Sequence, residues 1–293
     1  MKPAVKGYAA ATLVVCFWSG FNIVSRMGGR SSLTLFDLAA VRFGVSALVL
    51  FPFFLRMRFN ATLLQMLGLS AFGGLVYALF LYAGFFLAPA AHAGVLVNGG
   101  IPFATLIVAW LALGVRPGGR TVLALALAAL GIALIGYQSF THPTPESGPR
   151  WLGDLFFLVA ATSFAVFGLL LKRWRIRPVE AVVGMAMVCA LVYLPIYILF
   201  LPKGLGTVPV SALLLQVVYQ GLIASALAAL LYFYAVVTIG PMKASLMLAI
   251  VPGFSALLAV PLLGEELGLA TVLGAVLVTV GAVLGTTQQA PQT

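Results

Sequence analysis

Ten apolar stretches follow one another along this chain, at 7–27, 34–55, 62–86, 91–113, 121–138, 151–171, 179–200, 213–238, 242–263 and 270–287, with short connections between them. A bilayer is crossed by a helix of about 20 apolar residues. In lipid every backbone polar group must find its partner inside the protein, and a helix does this within one segment. The pattern therefore predicts an all-α integral membrane protein of ten transmembrane helices. Composition agrees: charged residues are 8% and apolar residues 63%, whereas soluble domains carry about a quarter charged residues. Mean hydropathy is +1.16.

One stretch occurs twice. Gly94 to Val115 returns as Ala244 to Glu265, with Pro102 on Pro252, Leu113-Gly114 on Leu263-Gly264 and Gly131 on Gly281 at an offset of 150. Elsewhere the offset drifts with loop length: Trp18 falls on Phe164 and Arg26 on Lys172 at 146, Asp37 on Glu180 at 143, and Tyr82 on Tyr234 at 152. Each half holds five spans, an odd number, so the second copy must insert the opposite way. The expected architecture is two inverted five-helix repeats, 1–140 and 151–288, joined by an extracytoplasmic connection at 141–150 and followed by a short tail at 289–293. Both broken copies carry proline beside glycine: Gly99, Gly100 and Pro102 in one, Pro252 and Gly253 in the other. Proline inside a helix removes a donor and frees a carbonyl one turn back. Matched interruptions in two halves point to a transport site at the repeat interface, with Gly99, Pro102, Pro252 and Gly253 as hinge candidates.

Lys and Arg in the connections set the orientation. With the N-terminus inside, eleven of the sixteen basic residues fall inside and four outside, with Arg42 left within the second span. Both termini are thus expected in the cytoplasm. The net charge of +10 does not signal nucleic-acid binding, because the basic residues are scattered over loops. The start, Lys2 to Gly20, looks like a signal peptide but lacks a small-x-small site, and is read as a retained first helix. Cys16 and Cys189 lie in mid-span without ligand spacing, so no disulfide is expected.

Catalytic chemistry is missing. The two histidines, His92 and His142, form no metal-binding pattern, and no phosphate loop is present. No carboxylate or histidine lies at the middle of a span to activate a nucleophile. An enzyme, a metal centre and a cofactor are not expected. Nor is an obligatory proton carrier in the central cavity, since such carriers sit at mid-membrane depth.

What the spans do carry is a set of polar and aromatic groups: Trp18 and Asn22, four apart on the first helix; Tyr77 and Tyr82; Asn98; Ser163 and Phe164; Tyr232 and Tyr234; Ser245 and Met247. Of these, Trp18, Asn22, Tyr77, Tyr82, Asn98, Phe164, Tyr234, Ser245 and Met247 are the substrate-binding candidates. An apolar cavity with a few orienting polar groups suits a small amphipathic solute. The asparagines have an alternative role in interhelical hydrogen bonds, and the aromatics in core packing. Arg42 either holds a substrate carboxylate or pairs with Asp37, five residues earlier; pairing or snorkelling is the expectation. Small residues recur on the fifth and tenth spans, Ala124, Ala128 and Gly131 beside Gly274, Gly281 and Gly285. They read as packing elements, with a subunit contact also open; a monomer or weak homodimer is expected.

Two five-helix halves, prolines in the fourth span of each, Leu-Gly-Glu-Glu-Leu at 263–267, and Trp-Ser-Gly-Phe-Asn at 18–22 with Arg42 after it together resemble the drug/metabolite transporter superfamily, EamA type. The resemblance covers nearly the whole chain and, in overall look, leans toward exporters of aromatic amino acids. It implies a bacterial inner-membrane location, a cavity lined by spans one, three, four, six, eight and nine, and alternating access. It leaves general drug or cationic-dye export as a second reading, and a scaffold without flux as a third. One departure stands out: the first half has Val115-Arg116 where the second has Glu265-Glu266.

Overall fold

The computed structural model describes residues 3–114, 118–141 and 148–286. The tail at 289–293 and most of the 141–150 connection lie outside these residues, as does Val115-Arg116. The described chain is helical: α1 (Pro3–Gly29), α2 (Leu35–Arg56), α3 (Leu63–Leu87), α4 (Ala90–Ala93, Gly94–Gly99 and Gly100–Leu113 run together), α5 (Gly119–Thr141), α6 (Arg150–Arg173), α7 (Pro178–Phe200), α8 (Val210–Ile239), α9 (Pro241–Leu248 and Val251–Leu263) and α10 (Leu269–Thr286). Among the described residues nine helices are long and apolar enough to cross a membrane, and the tenth follows as a shorter apolar helix. Leu48, Phe51, Leu191, Phe200 and Val237 are exposed. Such an apolar girdle suits lipid and would be a liability in water.

Local chemistry sets the ends. Thr34 caps α2: its hydroxyl accepts the Asp37 N–H at 3.1 Å, and the Asp37 carboxylate accepts the Thr34 N–H at 2.6 Å. Gly114 and Gly264 close α4 and α9 at φ 66° and 64°. That left-handed conformation strains any residue with a Cβ, so the repeated Leu-Gly pair is a repeated helix stop.

Packing follows the repeat. α1 lies against α8 and α9, and its counterpart α6 lies against α3 and α4; α2 pairs with α7, and α5 with α10. This set maps onto itself when each helix is replaced by its match in the other half. The α5–α10 contact shows how close the backbones come. A Cβ on Gly131 would stand 2.8 Å from the Gly274 carbonyl, and one on Gly281 would stand 2.8 Å from the Ala124 carbonyl. The small-residue stripe is therefore occupied within the chain.

One end of the bundle, called here the near end, carries Gly7 against Thr238 and Ile239. The far end carries Arg26, Asp37, Leu87 and Glu265. The symmetry breaks between them. At the far end α1 crosses to α3 and to the start of α4. At the near end, among the described residues, α6 makes no comparable contact with α8 or α9, and Gly100–Leu113 makes none with Pro241–Leu248. The far end is closed and the near end is parted.

Candidate functional site

Both repeated breaks fall where the two halves meet. α9 stops at Leu248 and resumes at Val251, with Pro252 buried at the start of the new segment. In the gap the N–H groups of Ala249 and Ile250 donate three residues back, to Leu246 and Met247, at 3.2 Å each. Pro252 has no N–H, so the Leu248 carbonyl loses its helical donor. α4 answers with a widened π-helical stretch, Gly94–Gly99, leading to the half-buried Pro102. The two breaks touch: a Cβ on Gly99 would stand 3.4 Å from Pro252 Cγ, and one on Gly94 would stand 3.2 Å from the Pro252 carbonyl. Gly253 faces open space.

Above and below this crossing the candidate residues sort into layers. The half-buried layer holds Trp18, Tyr77, Phe164 and Asn98. Trp18 lies 5.8 Å from the Tyr232 ring and Phe164 lies 5.0 Å from the Tyr77 ring, centroid to centroid. Trp18 and Phe164 are repeat mates, and each of these aromatic pairs joins one residue from each half. Asn98 makes no side-chain hydrogen bond to another described residue.

Arg42 joins this layer, and here the structure corrects the sequence reading. Asp37 does not pair with Arg42. Its carboxylate accepts from Tyr197 at 2.5 Å, from the Gly204 N–H at 2.9 Å and from Thr34. The half-buried Arg42 guanidinium sits instead 5.4 Å from the centre of the Phe21 ring and 5.9 Å from that of Tyr77, with Tyr82 as a further neighbour. It forms no ion pair among the described residues.

The next layer toward the far end is closed. Tyr82 is fully buried, and its hydroxyl donates to Gln220 Oε1 at 2.9 Å. Gln220 donates to Ser25 and to Gln216, each at 3.0 Å, and Gln216 donates to the Val24 carbonyl at 2.8 Å. Asn22 is buried and donates to Ser255 at 2.9 Å, so it serves the α1–α9 contact. Asn22→Ala should lower stability by only about 0.6 kcal/mol, the usual worth of an interhelical hydrogen bond in lipid. Thermal unfolding in detergent with counterflow alongside checks this; lost flux at unchanged stability would instead make Asn22 a solute contact.

The outermost layer is ionic. Glu265, which is buried, lies 3.5 Å from Arg26 and 3.6 Å from Arg30, and accepts the Ala90 N–H at 3.0 Å. Arg26 also donates to the Phe85 carbonyl, and Arg30 to the Leu263 carbonyl at 2.6 Å. One carboxylate thus ties α1, the start of α4 and the end of α9. Beside it His92 Nδ1 meets Asp154 at 2.8 Å, and Ser139 donates to the same carboxylate. Lys172, the repeat mate of Arg26, is exposed at the near end. From Trp18 to Arg26 the closed layers are about 12 Å thick at 1.5 Å per residue.

Three candidates stand apart. Tyr234 is 44% exposed on the outer side of α8. It follows Tyr232 by two residues, which turns a helical side chain about 200° away, so only Tyr232 can face Trp18. Met247 packs in a near-end cluster with Ala10, Ala11 and Ala235. The side chain of Ser245 lies outside the described residues. Sequence reasoning missed Gln216, Gln220 and Ser255, whose partners lie more than 130 positions away. Two local signals were present, though: buried Gln four apart on one helix face, and Ser255 one turn after the α9 break.

The comparisons agree with this architecture. A solved structure described only as "Crystal structure of protein" is similar over 97% of this chain and 96% of its own, at 20% identity and a TM-score of 0.62, which is a likeness of fold. No curated protein matches. The family described as EamA-like transporter family matches twice, at residues 5–137 and 151–287. The chain is a multi-pass membrane protein and belongs to the EamA-like transporter family.

Proposed function

We propose that the chain exports aromatic amino acids and related small amphiphiles by alternating access, and that this conformation is open at the near end. One observation carries the reading: the inverted repeat is closed by α1 at the far end and parted at the symmetry-related place, with an aromatic layer between. Two halves that can exchange these arrangements would expose the same layer to each side in turn. The breaks at Gly94–Gly99 and at Ala249–Ile250 supply the bend points. Trp18, Tyr77 and Phe164 would stack a ring, and Asn98 would hydrogen-bond its polar head. Near-end residues Lys6, Arg56, Arg58, Arg120, Lys172, Arg173, Arg175, Arg177 and Lys243 outnumber the far-end Arg26, Arg30, Arg150 and Lys203. That excess argues for a cytoplasmic near end, and hence both termini inside a bacterial inner membrane.

Export of cationic dyes fits less well, because Arg42 brings a positive charge to the layer and no carboxylate accompanies it among the described residues. A scaffold without flux would not need the far-end ion layer to be matched by a parted near end. Counterflow of labelled phenylalanine or tryptophan into proteoliposomes tests the reading. Saturable uptake competed by aromatic amino acids supports it. Competition by cationic dyes alone, or no flux from folded protein, overturns it.

A further inference from the structure

We infer that the site selects its solutes by a carboxylate received at Arg42, and that the preferred cargo is an aromatic monocarboxylate carried as a net anion. The inference rests on the transport reading above and deepens it. Arg42 is a cation in the hydrophobic depth of α2, seven residues after the helix starts. A charge at that depth normally has an ionic partner. The chain has six acidic residues, and the five that are described lie elsewhere. Asp37 is held by Tyr197, Gly204 and Thr34; Asp154 by His92 and Ser139; Glu180 by Arg177 and the Asn60 and Ala61 N–H groups; Glu265 by Arg26 and Ala90. Glu266 is exposed in the far-end turn, and Glu146 belongs to the connection between the halves. What surrounds the guanidinium is the Phe21 and Tyr77 rings with Tyr82. A planar fork of donors with aromatic walls matches a carboxylate attached by a short chain to a ring.

The same surroundings leave an ammonium poorly served. Among the described residues it would find no carboxylate beside it, and it would sit close to Arg42. An amino acid is therefore a tolerated member of the class, and the acid lacking the ammonium is the better one. Carrying a net anion also supplies a driving force that needs no proton carrier. An inside-negative potential pushes the anion outward, by a concentration ratio on the order of 50-fold per 100 mV for one charge.

Three probes share a ring and chain and differ in head group: 3-phenylpropionate, phenylalanine and 2-phenylethylamine. Each competes against labelled phenylalanine counterflow through the full chain in proteoliposomes at pH 8, with protein-free vesicles as control. Phenylpropionate should compete at least as well as phenylalanine, and phenylethylamine at least 30-fold more weakly. Arg42→Gln should weaken the acid more than tenfold and leave the amine unchanged, with Arg42→Lys between. An inside-negative potassium diffusion potential should speed phenylpropionate efflux. If the amine competes as well as the acid while phenylalanine flux is intact, the inference falls and the transport reading stands. The wild-type series decides between these outcomes even if Arg42→Gln fails to fold. If folded protein moves none of the three, both fall.

Discussion

Glu265→Gln is expected to unlatch the far end. The carboxylate neutralises Arg26, whose side chain is 6% exposed, and reaches Arg30 and the α4 N–H groups besides. Glutamine keeps an acceptor for one N–H but leaves Arg26 as a buried, unpaired cation. Breaking a buried pair from one side destabilises by roughly 3–5 kcal/mol. That loss falls on the closed arrangement, because opening lets water reach Arg26. If only about 2 kcal/mol of it is relieved on opening, the far-open population rises about 30-fold. Labelling from the far side of a cysteine placed at Asn98 should rise accordingly, and concentrative export should fall as the closed state is lost. Unchanged far-side labelling with only a lower Tm would make Glu265 a fold residue and no latch.

The second large effect concerns the scaffold. Gly131→Leu should disrupt the α5–α10 contact, because the first atom it adds meets the Gly274 carbonyl at 2.8 Å and Val278 at 2.9 Å. Backbone cannot rotate aside as a side chain does, so the helices must separate. Overpacking of this kind typically destabilises by roughly 1–3 kcal/mol. For a chain of this size that corresponds to a drop of roughly 2–5 °C in apparent Tm, compared at one scan rate because membrane proteins unfold irreversibly. Head-group selectivity should be retained in the surviving folded fraction. A variant as stable as the parent would mean that the two helices do not pack as described.

These two sites differ in how visible they were in the sequence. The α5–α10 stripe, the spans and the paired breaks were legible, because hydropathy, small-residue spacing and proline are local signals that the repeat doubles. The inverted arrangement followed from five spans per half. The role of Glu265 was half legible: the missing acidic turn in the first half was plain, but its partner Arg26 lies 239 positions earlier. The Asp37 pairing expected for Arg42 does not form, although Asp37 lay within reach along the chain. The connection after α7 brought Gly204 to that carboxylate, and α7 itself brought Tyr197. Tyr234 matches Tyr82 in the repeat, yet the two copies do not face alike: Tyr82 is buried and Tyr234 exposed. Repeat matching gives the backbone position, and the rotation of each helix depends on tertiary packing. The π-helical stretches at Ser70–Val76, Gly94–Gly99 and Val217–Leu227 change that rotation and leave no simple mark in composition.

The most direct measurement is sided labelling of Asn98→Cys with Cys16 and Cys189 replaced by serine, using a membrane-impermeant thiol reagent. A layer reached in turn from each side through an inverted repeat predicts three results: reaction from the near side, protection by phenylalanine or 3-phenylpropionate, and far-side reaction once Glu265 is glutamine. Reaction from neither side, or near-side reaction that no solute slows, would contradict a solute passage at the meeting of the two breaks.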